Sequence, residues 1–157
     1  MIKHIKCDIF ESGADVILHQ VNCQGVMGSG IAKQVKEKYP EVYKSYVALC
    51  HQYDPPLSRS ELLGLVQMVR TESCIICNLF AQDMYGYDGK CYTNYDALKE
   101  CFTAVSLNLQ ANNIKTVAIP YKIGCARGGG DWNVVYQMIE EIFDEDYNVL
   151  ICEYDRG

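Results

Sequence analysis

The stretch VNCQGVMGSGIAKQVKEKYP, residues 21–40, passes from a strand-like run to a helix-like run through Gly25, Gly28 and Gly30. Upstream, Val16–Val21 (VILHQV) is apolar and rich in β-branched residues, as a buried strand requires. From Ile31 the apolar positions Ile31, Ala32, Val35 and Tyr39 follow helical spacing, and Pro40 is expected to end that helix. Glycines at such a junction have two readings. One is a tight turn, because glycine tolerates positive φ. The other is an anion cradle, in which unobstructed backbone N–H groups and a helix N-terminus face a phosphate.

The chain around this stretch has 157 residues, 49% of them hydrophobic and 22% charged, which suits one globular domain over residues 1–157 with a sizeable core. No apolar run reaches membrane-spanning length, and MIKHIKCDIF at the start lacks the apolar core of a signal peptide, so a cytoplasmic protein without a membrane partner is expected. Nine cysteines form an odd set without disulfide-like spacing, and Cys7, Cys74, Cys77 and Cys152 lie in apolar runs, which predicts buried free thiols. The one CxxC, Cys74–Cys77, falls in a predicted strand, where residues three apart point to opposite faces. With no second CxxC or nearby histidine, no metal and no cofactor are expected. The net charge of −6, with Lys33, Lys36 and Lys38 as the only basic cluster, argues against general nucleic-acid binding. It leaves room for a small phosphorylated ligand held by backbone amides.

Strands are predicted at Ile2–Cys7, Val16–Val21, Leu63–Arg70, Cys74–Phe80, Thr116–Ile119 and Asn148–Tyr154. Helices are predicted at about Gly28–Tyr39 and Glu41–Tyr53, on the face Tyr95, Leu98, Phe102, Val105, Leu109, and through Val135, Met138, Ile139 and Ile142 with Asp131 as N-cap. The alternation predicts an α/β fold with helices on a largely parallel sheet, mixed because Leu63–Arg70 and Cys74–Phe80 are close enough to form an antiparallel hairpin. Ligands of such sheets sit beyond the carboxyl ends of the strands. There a second loop, IPYKIGCARGGGDW (residues 119–132), again joins strand to helix through glycines. Two such loops at one sheet edge could flank a diphosphate. Neither matches GxxxxGK[ST] or GxGxxG.

In order and spacing, Cys7-Asp8-Ile9-Phe10, His19-Gln20-Val21-Asn22-Cys23, Gly28-Ser29-Gly30-Ile31-Ala32, Asn78-Leu79-Phe80, Tyr92-Thr93-Asn94-Tyr95 and Pro120 through Trp132 resemble a macrodomain. The likeness is to the branch of the ADP-ribose-1″-phosphate (Appr-1″-p) phosphatases and the ADP-ribosyl hydrolases, and it runs almost end to end. It implies a three-layer α/β/α domain with a six-stranded mixed sheet, binding ADP-ribose or an ADP-ribosylated macromolecule. By that resemblance Asp8 accepts from the adenine amino group with Ile9 beside it, and Tyr154 packs on adenine. Gly28, Ser29, Gly30 and Ile31 line the distal ribose and one phosphate. Ile123, Gly124, Cys125, Ala126, Arg127, Gly128, Gly129 and Gly130 wrap the diphosphate, so that Gly129→Val is expected to crowd the ligand without harming the fold. Asn22, Phe80 and Tyr85 would face the distal ribose. Plainer roles stand beside these: a turn cap for Asp8, turn stabilisation for Asn22, core packing for Phe80, Tyr121 and Trp132, strand-end packing for Tyr154, and a satisfied core histidine for His19.

The relatives that release ADP-ribose from acidic side chains use a lysine just beyond the fourth strand and an aspartate in the second glycine loop. Here the first place reads Phe80-Ala81-Gln82-Asp83, and the loop holds no acid before Asp131. What remains for a hydrolase is water activation by His19 or Asp131, with Asp83 a further candidate. The alternative is a reader that binds ADP-ribose without turning it over.

Overall fold

The structure is a computed structural model that describes residues 1–143 and 146–154. Six strands, β1 (Ile2–Lys6), β2 (Val16–Asn22), β3 (Val66–Arg70), β4 (Ile75–Gln82), β5 (Thr116–Pro120) and β6 (Asn148–Glu153), form one sheet in the order β1-β6-β5-β2-β4-β3. All neighbours are parallel except β3 and β4, which pair as the antiparallel hairpin expected. Helices α1 (Gly30–Lys38) and α2 (Pro40–His51) cover one face, and α3 (Tyr95–Ala111) and α4 (Trp132–Ile142) the other.

Strand β2 sits at the centre because its side chains feed both cores. Val16 and Leu18 join Leu98, Phe102, Val135 and Ile139 on one face, while Ile17 and Val21 join Val35, Val42, Tyr46 and Phe80 on the other. Each large apolar side chain buried this way contributes roughly 1.5–3 kcal/mol. The helices begin where side chains satisfy their first amides: Asn94 accepts from Ala97 N–H, and Asp131 from Asn133 N–H, as predicted for a cap. Pro40 does stop α1, and it also opens α2 at its first position, where a missing N–H removes nothing. Cys74 and Cys77 fall in opposite cores, and all nine cysteines are free thiols, six of them buried.

The site is prepared by a fault in the sheet. β2 pairs with β5 only at Val16–Val117 and Ile17–Ala118, although both strands run on, and β2 slips register against β4 between Val21 and Asn22. The carboxyl ends of β2 and β5 therefore lack the ladder that would hold them together, and the two glycine loops leave from there. Among the described residues no helix is long and apolar enough to cross a membrane.

Candidate functional site

The first glycine loop is held from beneath by Asn22. Its Nδ2 donates to Val26 O at 2.8 Å and its Oδ1 accepts from Gln24 N–H at 2.9 Å. The buried Tyr46 hydroxyl donates to Asn22 O at 2.6 Å, with Asn22 Oδ1 at 2.9 Å. Tyr46→Phe is expected to lower stability by about 1–3 kcal/mol, because a buried carbonyl loses its donor. Denaturant unfolding reads that loss, and faster amide exchange at Gln24 and Val26 would place it in this turn. Beyond the turn, α1 begins without a side-chain cap. Ser29 occupies the N-cap position with no capping bond, and no acidic residue lies in the first turn. The positive end of that helix is left to whatever lies in front of it.

The second loop divides its amides. Ile123, Cys125, Gly129 and Gly130 donate to Pro120, Lys122, Ala126 and Gly124 carbonyls respectively. No acceptor among the described residues takes the N–H of Gly124, Ala126, Arg127 or Gly128. The segment 90–93 straps the loop from behind: Tyr92 and Thr93 N–H both donate to Gly128 O, and the Thr93 hydroxyl donates to Gly124 O at 2.6 Å.

Two adjoining cavities open over this edge of the sheet. The loop cavity, about 240 Å³, lies between the two glycine loops, and the edge cavity, about 310 Å³, lies beside the ends of β1 and β6. They share Gly30, Ile31, Pro120 and Tyr121, and together they reach the roughly 300–1,000 Å³ range of small-molecule sites. Their charges differ. Among the described residues no Asp or Glu lines the loop cavity, whose charged side chains are Lys122 and Arg127, in a chain of net charge −6. Among the described residues, the edge cavity carries Asp8 and Glu153 and no cation.

The structure brings most of the predicted site residues together. Asp8, Ile9 and Tyr154 line the edge cavity, and Gly30 and Ile31 line both. Asn22, Gly28, Ser29, Ile123, Gly124, Ala126, Arg127 and Gly128 line the loop cavity. Asp8 is also the turn cap of its plainer role, since Oδ1 accepts from Phe10 N–H at 3.0 Å. Cys125, Gly129 and Gly130 lie outside both walls, and these are loop residues whose amides are already donated. Phe80 is fully buried against Tyr46, on the core side of β4. Asp131 caps α4 on the exposed surface and reaches neither cavity. Gln20, Gln82 and Tyr87, given no site role from the sequence, complete the walls: Gln20 and Gln82 meet across β2 and β4, and Tyr87 carries the Arg127 guanidinium 4.4 Å over its ring. Tyr121, read from the sequence as core packing, lines both cavities while it stacks on Trp132 at 5.3 Å. Lys122 holds φ +60° in a tight turn, where glycine is the usual choice, so nothing in the sequence marked it; its ammonium lies 5.4 Å over the Tyr121 ring.

His19 also lines the loop cavity and is 1% exposed. Burial pushes its imidazole down to about 4, against the smaller opposing pull of its hydrogen bond to Asn78. It is therefore neutral at neutral pH, and a base of that strength takes a proton from water poorly. The partial exposure that would have kept it near neutrality is absent.

The DNA ADP-ribosyl glycohydrolase of Mycobacterium tuberculosis is 26% identical over 145 residues, 92% of this chain and 39% of that protein. This chain thus spans about two fifths of that relative's length. The ADP-ribose 1″-phosphate phosphatase of Saccharomyces cerevisiae is 34% identical over 90 residues, 54% of this chain and 48% of that one. Among solved structures, the macrodomain of Mycobacterium tuberculosis DarG superposes with a TM-score of 0.81 at 26% identity, covering 100% of this chain and 99% of that one. Residues 18–139, from the middle of β2 to the buried face of α4, match the Macro domain family, and the chain belongs to it.

Proposed function

We propose that the joined cavities bind ADP-ribose and that the chain acts on ADP-ribose derivatives substituted at the distal ribose. The observation that carries the binding reading is the polarity of the cleft. Its acidic end suits the amino group of adenine, and its basic end suits a diphosphate. Four undonated loop amides and the uncapped start of α1 belong to residues that line the basic end, and such groups favour anions. The adenine lies by Asp8, Ile9 and Tyr154, the diphosphate between the loops, and the distal ribose toward Asn22 and Tyr85. Calorimetry is expected to rank ADP-ribose above ADP and ADP above AMP. Equal affinity for AMP and ADP-ribose would confine binding to the edge cavity.

Asp8→Asn tests the acidic end cleanly. An amide oxygen can still accept from Phe10 N–H, whereas its NH₂ meets the adenine amino group donor to donor. Affinity for ADP-ribose is expected to fall roughly 10- to 100-fold, the scale of a lost charge-assisted bond, with the unfolding midpoint unchanged. Undiminished affinity would leave Asp8 as a cap alone.

Turnover is supported by the relatives named above as a phosphatase and a glycohydrolase. Lys122 and Arg127 line the loop cavity, and their charge supports the reading that it holds phosphate. One observation favours the second reading, a binding module without turnover: no carboxylate lines the loop cavity among the described residues, and its imidazole is held neutral. Phosphate release from ADP-ribose-1″-phosphate, and ADP-ribose release from modified protein or DNA, separate the two. A protein that binds ADP-ribose and turns over none of these is the reader.

A further inference from the structure

Thr93 is 6% exposed and lines neither cavity, yet it meets the second glycine loop at both ends. Its hydroxyl donates to Gly124 O at 2.6 Å, and its N–H donates to Gly128 O at 3.0 Å, beside that of Tyr92 at 2.7 Å. These bonds have one sense only. A backbone carbonyl accepts and never donates, so the single hydroxyl proton goes to Gly124 O, and Thr93 Oγ1 accepts from Gln20 Nε2 at 3.0 Å. Gln20 Nε2 gives its other proton to Gln82 Oε1 at 2.8 Å, because Gln82 Nε2 already donates to Met84 O at 2.9 Å. The glycines of the loop answer to the same residue. Gly128 lies outside the left-handed region, so its backbone does not call for glycine; a Cβ there would overlap the Thr93 hydroxyl and stand 2.6 Å from Gly124 O. A Cβ on Gly124 would stand 3.1 Å from Thr93 Oγ1, and one on Gly130 3.5 Å from Thr93 Cβ. The loop therefore rests directly on Thr93, with two of its carbonyl oxygens drawn to that side. The N–H groups of Gly124, Ala126, Arg127 and Gly128 stay without an acceptor among the described residues, and those residues line the loop cavity.

We propose that Thr93 is a positioning residue for the phosphate of the ligand: from outside the cavity it holds the Gly124 and Gly128 carbonyls on the strap side of the loop, so that a phosphate over the loop meets N–H groups and no carbonyl oxygen. The proposal rests on the reading of the loop cavity as a phosphate site. Its reason is electrostatic. A trans peptide carries its C=O and N–H in opposite directions, so fixing the oxygen fixes where that dipole points. A carbonyl turned towards a phosphate repels it, whereas successive backbone N–H groups make a concavity that attracts it. Thr93 acts here without touching the ligand, through the loop that lies on it.

Thr93→Val keeps the shape of the side chain and puts a methyl where the hydroxyl was, and a methyl cannot approach a carbonyl oxygen to 2.6 Å. Thr93→Ser keeps the hydroxyl and drops the methyl. Calorimetry with ADP-ribose is expected to show affinity about tenfold weaker in Thr93→Val, the scale of one lost hydrogen bond. A chemical-shift titration with adenosine, which carries no phosphate, is expected to give the wild-type affinity in the same variant. Thr93→Ser is expected to bind ADP-ribose as the wild type does. A residue that only supports the fold would weaken both ligands alike or neither. Unchanged ADP-ribose affinity in Thr93→Val, an equal loss for adenosine, or a serine variant as weak as the valine variant overturns the proposal. If the valine variant does not fold, Thr93→Ala, which lacks the hydroxyl without added bulk, takes its place under the same outcomes. If the wild type does not bind ADP-ribose, the ligand reading fails, and inorganic pyrophosphate at millimolar concentration judges Thr93 instead. Binding by wild type and Thr93→Ser but not by Thr93→Val upholds the positioning role, and any other pattern overturns it.

Discussion

Gly129→Val is expected to cost about 2–4 kcal/mol of stability and to lower the unfolding midpoint by roughly 10 °C. Gly129 holds φ +70°, and a Cβ on it would stand 2.5 Å from Lys90 O and 3.0 Å from Cys91 Cα. Neither contact is the end of a flexible side chain, so the strap formed by residues 90–93 has to move. The sequence alone suggested that this substitution would crowd the ligand and spare the fold. The structure reverses the expectation, because Gly129 packs on the strap and stands outside the cavity wall. Gly28→Ala is the contrast: its Cβ meets nothing closer than 3.5 Å, in a backbone conformation open to any residue, and stability should hold within about 0.5 kcal/mol. Thermal unfolding of the two variants side by side decides the matter. Equal midpoints would mean that the strap does not constrain the loop.

The second large effect is one of pH. The folded state holds His19 near 4, whereas an unfolded chain binds that proton near 6.5. Between those values the unfolded state takes up more protons, so stability rises with pH. The contribution is complete above about 6.5 and is lost as pH falls through about 4, and its size is on the order of 3 kcal/mol. His19→Gln removes this titration while leaving every other one shared. Urea unfolding at pH 7.5 and at pH 4 should therefore show the wild type losing about 3 kcal/mol more than the variant. Equal losses would mean that the imidazole gives up its buried position before it takes a proton.

The sequence was most readable where a residue's role is set by near neighbours. β2 announces itself through VILHQV, α3 through Leu98, Phe102, Val105 and Leu109, and the start of α4 through Asp131. The loop positions were legible in part: Gly28, Gly30, Gly124 and Gly128 line the cleft, whereas Gly129 and Gly130 lie outside its walls, and the glycines alone do not tell a tight turn from a cradle. Readability failed where the role depends on a partner far along the chain. Which amides of 123–130 remain undonated is decided by turn bonds within the loop and by the strap from Tyr92 and Thr93. The meeting of Gln20 with Gln82 follows from strand order and register, which no local pattern encodes. Phe80 was ambiguous for a related reason. It stands near the end of β4, yet the alternation of that strand sends it down onto Tyr46. His19 lies in a run that reads as buried, and burial is what removes it from the list of effective bases.

The pairing of β1 with β6 has a consequence for how the protein is made. That ladder joins Ile2 to Val149 and Lys6 to Glu153, and β6 is the one neighbour β1 has in the sheet. On a ribosome the first strand to emerge has to wait for the last before it can dock, and closing so long a loop of chain is slow. Asp8 follows β1 and Tyr154 follows β6, so the edge cavity is the final part of the cleft to be assembled. Until β6 docks, the edge cavity lacks the wall formed by Glu153 and Tyr154. On the proposed reading of the cleft, selectivity for the base should therefore appear only once β6 has docked.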